Sequence, residues 1–166
     1  MSDASTDAEV RVDAVAMTPE ERLVRAFARG EIPIHDAVDP VRGLTVVHYL
    51  EAPPSGEGRE DISNRRHCGT GLAQSADALR REFTSAVEQA EAMGGFHCSA
   101  GECLVTGMEY APVWNFTFAQ GDGGALRIES VVRASRALMN EAWVTRSQAY
   151  INRSLAASRA RPCGSQ

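Results

Sequence analysis

The residues with the most distinctive chemistry are two His-Cys pairs and a cysteine that follows them. His67-Cys68 and His97-Cys98 precede Cys103, so three of the four cysteines lie in one short stretch of the chain. Thiols and imidazoles at this density can form disulfides, hold a soft metal ion such as zinc, or fill a core as free thiols. Each alternative implies a different compartment, because disulfides persist mainly in oxidising environments.

Disulfides are the interpretation that the spacing favours. Cys98 and Cys103 enclose four residues. The residues that flank such a hairpin loop face each other with Cα atoms about 4.5 Å apart, which a disulfide accepts. Cys68 and Cys163 would form the second bridge, between the start of a long helix and the C-terminus. Four cysteines allow three pairings, and spacing alone does not choose among them.

A zinc site is the main alternative use of the same residues. Cys68, Cys98, Cys103 and one of the two adjacent histidines, such as His97, would supply four ligands. Four residues separate Cys98 from Cys103, whereas zinc-binding cysteine pairs are usually separated by two. We therefore expect no cofactor, and we keep zinc and free buried thiols as alternatives.

Three residues at or after the first predicted strand could take part in acid–base catalysis. His48 or Asp61 would act as a general base, and Tyr49 would polarise a substrate carbonyl. The structural interpretation of His48 is a hydrogen-bonded residue at the edge of the core. The chain has no Gly-x-Ser-x-Gly, His-Glu-x-x-His or phosphate-loop motif. We therefore expect a protein that is not an enzyme.

The charged residues set further limits on function. All 17 basic residues are arginines, which excludes Schiff-base and phosphate-loop lysine chemistry. The net charge is −5, yet from Arg133 onward the only acid is Glu141, so the C-terminal part is basic. A basic segment can contact an anionic partner. The acidic balance and the lack of a recognition motif argue against nucleic acid, and no apolar run approaches a membrane span.

The pattern of apolar residues predicts a single α+β domain over residues 18–160, between a disordered acidic tail at 1–17 and a short tail at 161–166. A capping box, Thr18-x-x-Glu21, begins the first helix. The later elements are a strand at 43–50, a polar loop at 52–66, a helix at 72–93, strands at 96–98, 103–106, 113–119 and 126–133, and a helix at 135–160. We expect the long helix to cover the apolar face of a four- to five-stranded antiparallel sheet.

Residues 34–47, with the turn Pro40-Val-Arg-Gly43, resemble a segment common in uncharacterised bacterial exported proteins and lipoproteins. Over residues 18–134 the order of elements is similar to that of the cystatin-like and nuclear-transport-factor-2-like folds, in which a curved antiparallel sheet wraps a long helix. The resemblance implies a cone-shaped cavity and assigns no catalytic residue. Such a fold hosts enzymes and binding modules alike.

We therefore expect a small, non-catalytic binding or interaction domain of the bacterial cell envelope, with a protein or a small molecule as its partner. The alternatives are a cavity enzyme of the isomerase or dehydratase type and a zinc-stabilised structural module. The acidic N-terminal residues show no signal-peptide pattern. We favour a periplasmic or otherwise exported protein whose leader has been removed over a cytoplasmic protein.

Overall fold

The computed structural model describes residues 17–50, 61–106, 112–134, 149, 152–153, 155–161 and 163. These residues form helices and one sheet, which confirms the predicted α+β class. The elements are α1 (Pro19–Ala28), α2 (Ile34–Ala37), β1 (Leu44–Leu50), β2 (Asp61–His67), α3 (Thr70–Met93), β3 (His97–Ser99), β4 (Glu102–Val105), β5 (Val113–Gln120) and β6 (Leu126–Ala134). Residues 155–160 are helical, as predicted. The predicted tail at 1–17, apart from Met17, and residues 135–148 of the predicted last helix lie outside the described residues.

The six strands form one mixed sheet in the order β2-β1-β6-β5-β4-β3. β1 and β6 are parallel, and the other neighbours are antiparallel. The prediction of four to five antiparallel strands is therefore correct for four of the five strand pairs, but it misses one strand and the parallel pairing of β1 with β6. The strand that it missed is β2, because part of the predicted loop at 52–66 pairs with β1. β2 is an edge strand. Its side chains are mostly polar, as is common at exposed sheet edges, so β2 lacks the alternation of apolar and polar residues that predicts a strand.

Local signals set the ends of the helices. The Thr18 hydroxyl accepts a hydrogen bond from the Glu21 amide at 3.2 Å, and Pro19 occupies the first turn, as the capping box predicts. α3 ends at Met93, where Gly94 adopts a left-handed conformation with φ of +107°. In the described part of the chain, the helices are too short or too polar to cross a bilayer.

One face of the sheet packs against α1 and α3. The ring of Phe83 on α3 lies edge-on to Phe27 and to Phe116, with centroids 5.1 Å apart in each pair. Trp114, Phe116 and Phe118 are all buried, as the alternation along β5 predicts. These aromatic side chains fill the space between the long helix and the middle of the sheet.

The opposite face of the sheet packs against the C-terminal helical residues. Leu155 forms a small buried cluster with Val47 and Val132. The hydroxyls of Thr45 and Ser158 lie 2.7 Å apart in a buried hydrogen bond. Because side chains alternate along a strand, the odd-numbered residues of β1 face this segment and the even-numbered residues face α3.

Candidate functional site

A cleft of about 390 Å³ opens between the β1–β2 hairpin and α3. This volume is at the lower end of the roughly 300–1,000 Å³ that is typical of small-molecule sites. Three apolar and six polar residues line the cleft: Val46, Ala78, Leu79, His48, Ser63, Arg65, His67, Ser75 and Glu82. The cleft therefore combines an apolar surface with several hydrogen-bonding groups.

The pairing of β1 with β2 brings the polar strand residues together. His48 lies opposite Ser63, and Val46 lies opposite Arg65. Ser63, Arg65 and His67 are two residues apart, so all three belong to the face of β2 that lies on the same side of the sheet as α3, where Ser63 and Arg65 remain exposed. An edge strand thus supplies three of the polar groups of the cleft.

The helix contributes Glu82, which forms a hydrogen bond with His48 between Oε1 and Nε2. The His48 side chain is 36% exposed and the Glu82 side chain 16% exposed, so the pair is partly shielded from water. When Nε2 carries the hydrogen, the carboxylate accepts it and Nδ1 remains as an acceptor. The contact therefore fixes both the orientation and the hydrogen-bonding role of the imidazole.

The surroundings of His67 favour its neutral form by lowering its pKa. Burial lowers the pKa of His67 below its ordinary value of 6.5, and the charge of Arg65 lowers it further. The carboxylate of Glu82 acts in the opposite direction but does not reverse the shift. A neutral imidazole can both donate and accept a hydrogen bond, which suits a binding site for a polar molecule.

We expect His67 to make the protein less stable in mild acid. A histidine whose pKa is lower in the folded state than in the unfolded state favours unfolding as the pH falls below 6.5. The free energy of unfolding, measured by urea denaturation between about pH 5 and pH 8, should therefore fall less steeply in His67→Gln than in the wild type. The control is His35→Gln, which removes an exposed histidine on α2. Parallel pH profiles for His67→Gln and the wild type would contradict this assignment.

The three predicted catalytic residues do not share one site. His48 lines the cleft, whereas the fully buried Tyr49 belongs to the opposite face of β1, since neighbouring residues in a strand point to opposite sides. Asp61 begins β2, where its main chain pairs with Leu50. The side chain of Asp61 lies outside the described part of the structure. The proposed cooperation of His48 with Tyr49 therefore has no geometric support.

The four cysteines lie in two pairs at disulfide distance. Cys68 is joined to Cys163, and Cys98 to Cys103 directly across the β3–β4 hairpin. These are the two candidate disulfide pairs named from the sequence. His97, the candidate fourth zinc ligand, is exposed on β3. Among the described residues, no three His, Cys, Asp or Glu side chains form a group able to hold a metal ion.

Comparison with known proteins identifies no relative. No family model, no curated protein and no solved structure matches the chain. The cleft is therefore interpreted from its own chemistry.

Glu82, the partner of His48, and most of the polar residues that line the cleft were not among the predicted site residues. Ser75 and Glu82 are seven residues apart, about two helical turns, so their shared side of α3 could be found from the sequence. Ser63, Arg65 and His67 alternate as strand residues do, but that alternation is informative only once β2 is known to be a strand.

Proposed function

We propose that this chain is a non-catalytic binding domain for a small organic acid, and that the cleft between the β1–β2 hairpin and α3 is its binding site. One observation carries the proposal: an arginine, two histidines, two serines and a glutamate line a space of ligand size together with apolar side chains. Such a combination of an apolar cavity and a few convergent polar groups is typical of small-molecule sites.

The charged end of the ligand would bind at β2. The guanidinium of Arg65 offers a planar pair of N–H donors that matches a carboxylate. Ser63 and Ser75 supply hydroxyl donors from the strand and from the helix. Val46 and Leu79 supply apolar contacts for the rest of the molecule.

Glu82 would restrict the ligand to a single carboxylate. Its carboxylate lies in the same cleft and is bonded to His48, so a second acid group on the ligand would meet a negative charge there. Like charges at close range disfavour binding, and such repulsion is a common source of specificity. We therefore propose monocarboxylic acids as the ligand class.

An exported location and the resembled fold are part of the same proposal. The structure has two cysteine pairs at disulfide distance. Disulfides persist mainly in oxidising compartments, which supports an exported location. The likeness to cystatin-like and nuclear-transport-factor-2-like folds is supported by the long α3 packed on one face of a single sheet. In this proposal the cleft is the open end of that helix–sheet interface.

Calorimetric titration with acetate, butyrate, benzoate and succinate tests the binding proposal. We expect saturable binding of at least one monocarboxylate and weaker binding of succinate. Arg65→Gln should weaken binding by roughly tenfold or more, because hydrogen bonds to a charged group are strong and one is lost. The matched control is Arg81→Gln, which removes the same charge from an exposed position on α3 outside the cleft. Equal affinities of Arg65→Gln and Arg81→Gln would refute the assignment of the site.

A cavity enzyme is the second candidate, and the His48–Glu82 hydrogen bond is the observation that favours it. A carboxylate that orients an imidazole is a common arrangement for a general base. Proton NMR of butyrate incubated with the protein in deuterated water separates the two candidates. A binding domain leaves the α-hydrogens of butyrate in place, whereas a general base exchanges them for deuterium, and Glu82→Gln would then slow the exchange while binding persists.

A further inference from the structure

A second cavity lies on the other face of the β1–β2 hairpin and is strongly basic. Neighbouring residues of β2 point to opposite faces, so Arg65 lines the cleft while Arg66 lines this second cavity. The second cavity has a volume of about 700 Å³. Four arginines line it and no acid does: Arg42, Arg66, Arg159 and Arg161. We call this cavity the arginine pocket.

The charge of the arginine pocket is only partly balanced. Arg159 forms an ion pair with Glu129 at 3.0 Å. Arg66 donates hydrogen bonds to the carbonyl oxygens of Arg42, Ser158 and Arg161, which hold its guanidinium without neutralising it. In the described ranges, no carboxylate forms an ion pair with Arg42, Arg66 or Arg161. The pocket therefore holds an excess of about three positive charges.

The Cys68–Cys163 disulfide brings two of these arginines together. Arg66 lies two residues before Cys68, and Arg161 lies two residues before Cys163, its disulfide partner. The like charges are therefore placed side by side by folding and not by a ligand. An anion that enters the pocket gains their attraction without the cost of assembling them, which is the advantage of a preorganised site.

We infer that the arginine pocket binds a phosphate group. Arginine forms paired hydrogen bonds with phosphate oxygens, and a doubly charged phosphate balances an excess of three positive charges better than a carboxylate does. The cavity is larger than a phosphate ion, so the group would be carried by a larger molecule. This inference is independent of the organic-acid cleft, because the two cavities lie on opposite faces of the hairpin.

Calorimetric titration of the oxidised protein with inorganic phosphate and pyrophosphate, at constant ionic strength against chloride, tests this inference. We expect saturable binding, and binding at least about tenfold weaker in the Arg42→Gln/Arg161→Gln double variant. Both side chains are exposed and unpaired with acids in the described structure, so this variant should keep its fold, which an unchanged melting temperature would verify. Arg81→Gln, with an exposed arginine outside the pocket, should bind phosphate like the wild type.

Vesicle flotation distinguishes a soluble phosphorylated molecule from a lipid headgroup. Binding of phosphate without flotation on phosphatidic acid vesicles assigns a soluble ligand. Flotation of the wild type, but not of the double variant, on phosphatidic acid and not on phosphatidylcholine assigns a headgroup. The inference is overturned if the wild type binds neither phosphate nor the anionic vesicles, or if Arg81→Gln weakens binding as much as the double variant.

Discussion

Replacing Cys68 and Cys163 together by serine is expected to lower the free energy of unfolding by about 4–5 kcal/mol. The two cysteines are 95 residues apart. A cross-link over that distance removes much of the conformational freedom of the unfolded chain, and the loop-entropy relation gives about 4.7 kcal/mol for a loop near 100 residues. The same bond ties the C-terminal helical residues to the sheet, where Leu155 packs on Val47 and Val132. Chemical denaturation of the oxidised proteins measures the loss.

The second cysteine pair provides the matched control for this prediction. Cys98 and Cys103 are five residues apart, so the same relation gives only about 2 kcal/mol for their replacement by serine. Both double variants exchange two cysteines for two serines, and only the length of the closed loop differs. A loss from Cys98→Ser/Cys103→Ser equal to or greater than the loss from Cys68→Ser/Cys163→Ser would contradict the loop-length account.

Gly43→Ala is expected to destabilise the protein by about 2–5 kcal/mol. Gly43 has φ of +77°, a left-handed conformation that costs other residues roughly 1–2 kcal/mol. A Cβ there would lie 2.6 Å and 2.9 Å from the sulfurs of Cys163 and Cys68, and 2.7 Å from the carbonyl oxygen of His67. Neither a bonded sulfur nor a main-chain oxygen can move aside easily, and overpacking of this kind adds about 1–3 kcal/mol.

Gly123→Ala separates the cost of the left-handed backbone conformation from the cost of the close contacts of the added Cβ. Gly123 lies between β5 and β6 with φ of +78°, and a Cβ there would meet nothing within 4 Å. It therefore carries the backbone cost of about 1–2 kcal/mol without the contact. Urea denaturation of both variants gives the difference. If Gly43→Ala destabilises the protein no more than Gly123→Ala, the close packing of the disulfide on Gly43 is refuted.

The helices and the central strands could be predicted because their signals are local. Thr18, Pro19 and Glu21 define the start of α1 by capping, and Gly94 defines the end of α3 by its left-handed conformation. The buried aromatic residues of β5 alternate with polar residues along one strand. Each of these patterns involves residues that are close together in the chain, so it can be recognised from a single sequence.

β2 and the parallel pairing of β1 with β6 could not be predicted in the same way. β2 carries little apolar alternation because it is an edge strand, and only its register with β1 reveals it. The β1–β6 pair joins residues about 85 positions apart, such as Val46 and Val131. The periodicity of apolar residues in each segment predicts a strand but does not indicate which distant strand it pairs with.

Only one residue of the hydrogen-bonded pair in the cleft, His48, could be identified from the sequence. His48 could be singled out as a titratable residue in an apolar strand. Tyr49 could not be its partner, because adjacent strand residues point to opposite faces. The residue that does contact His48 is Glu82, which lies 34 positions away on a helix whose stripe of apolar residues marks the core. Which side chains of different elements contact each other depends on the tertiary structure. A catalytic partner chosen only because it is adjacent in the sequence is therefore easily wrong.

The central claim is that the cleft between the β1–β2 hairpin and α3 binds a small carboxylic acid. The imidazole proton resonances of the chain's four histidines test it most directly, since His48 and His67 line the cleft while His35 and His97 lie outside it. On titration with acetate, butyrate and benzoate at constant pH, we expect the His48 and His67 signals to shift saturably with at least one acid and those of His35 and His97 to stay in place. Unmoved His48 and His67 signals with all three acids, or equal shifts of all four histidines, would contradict the claim.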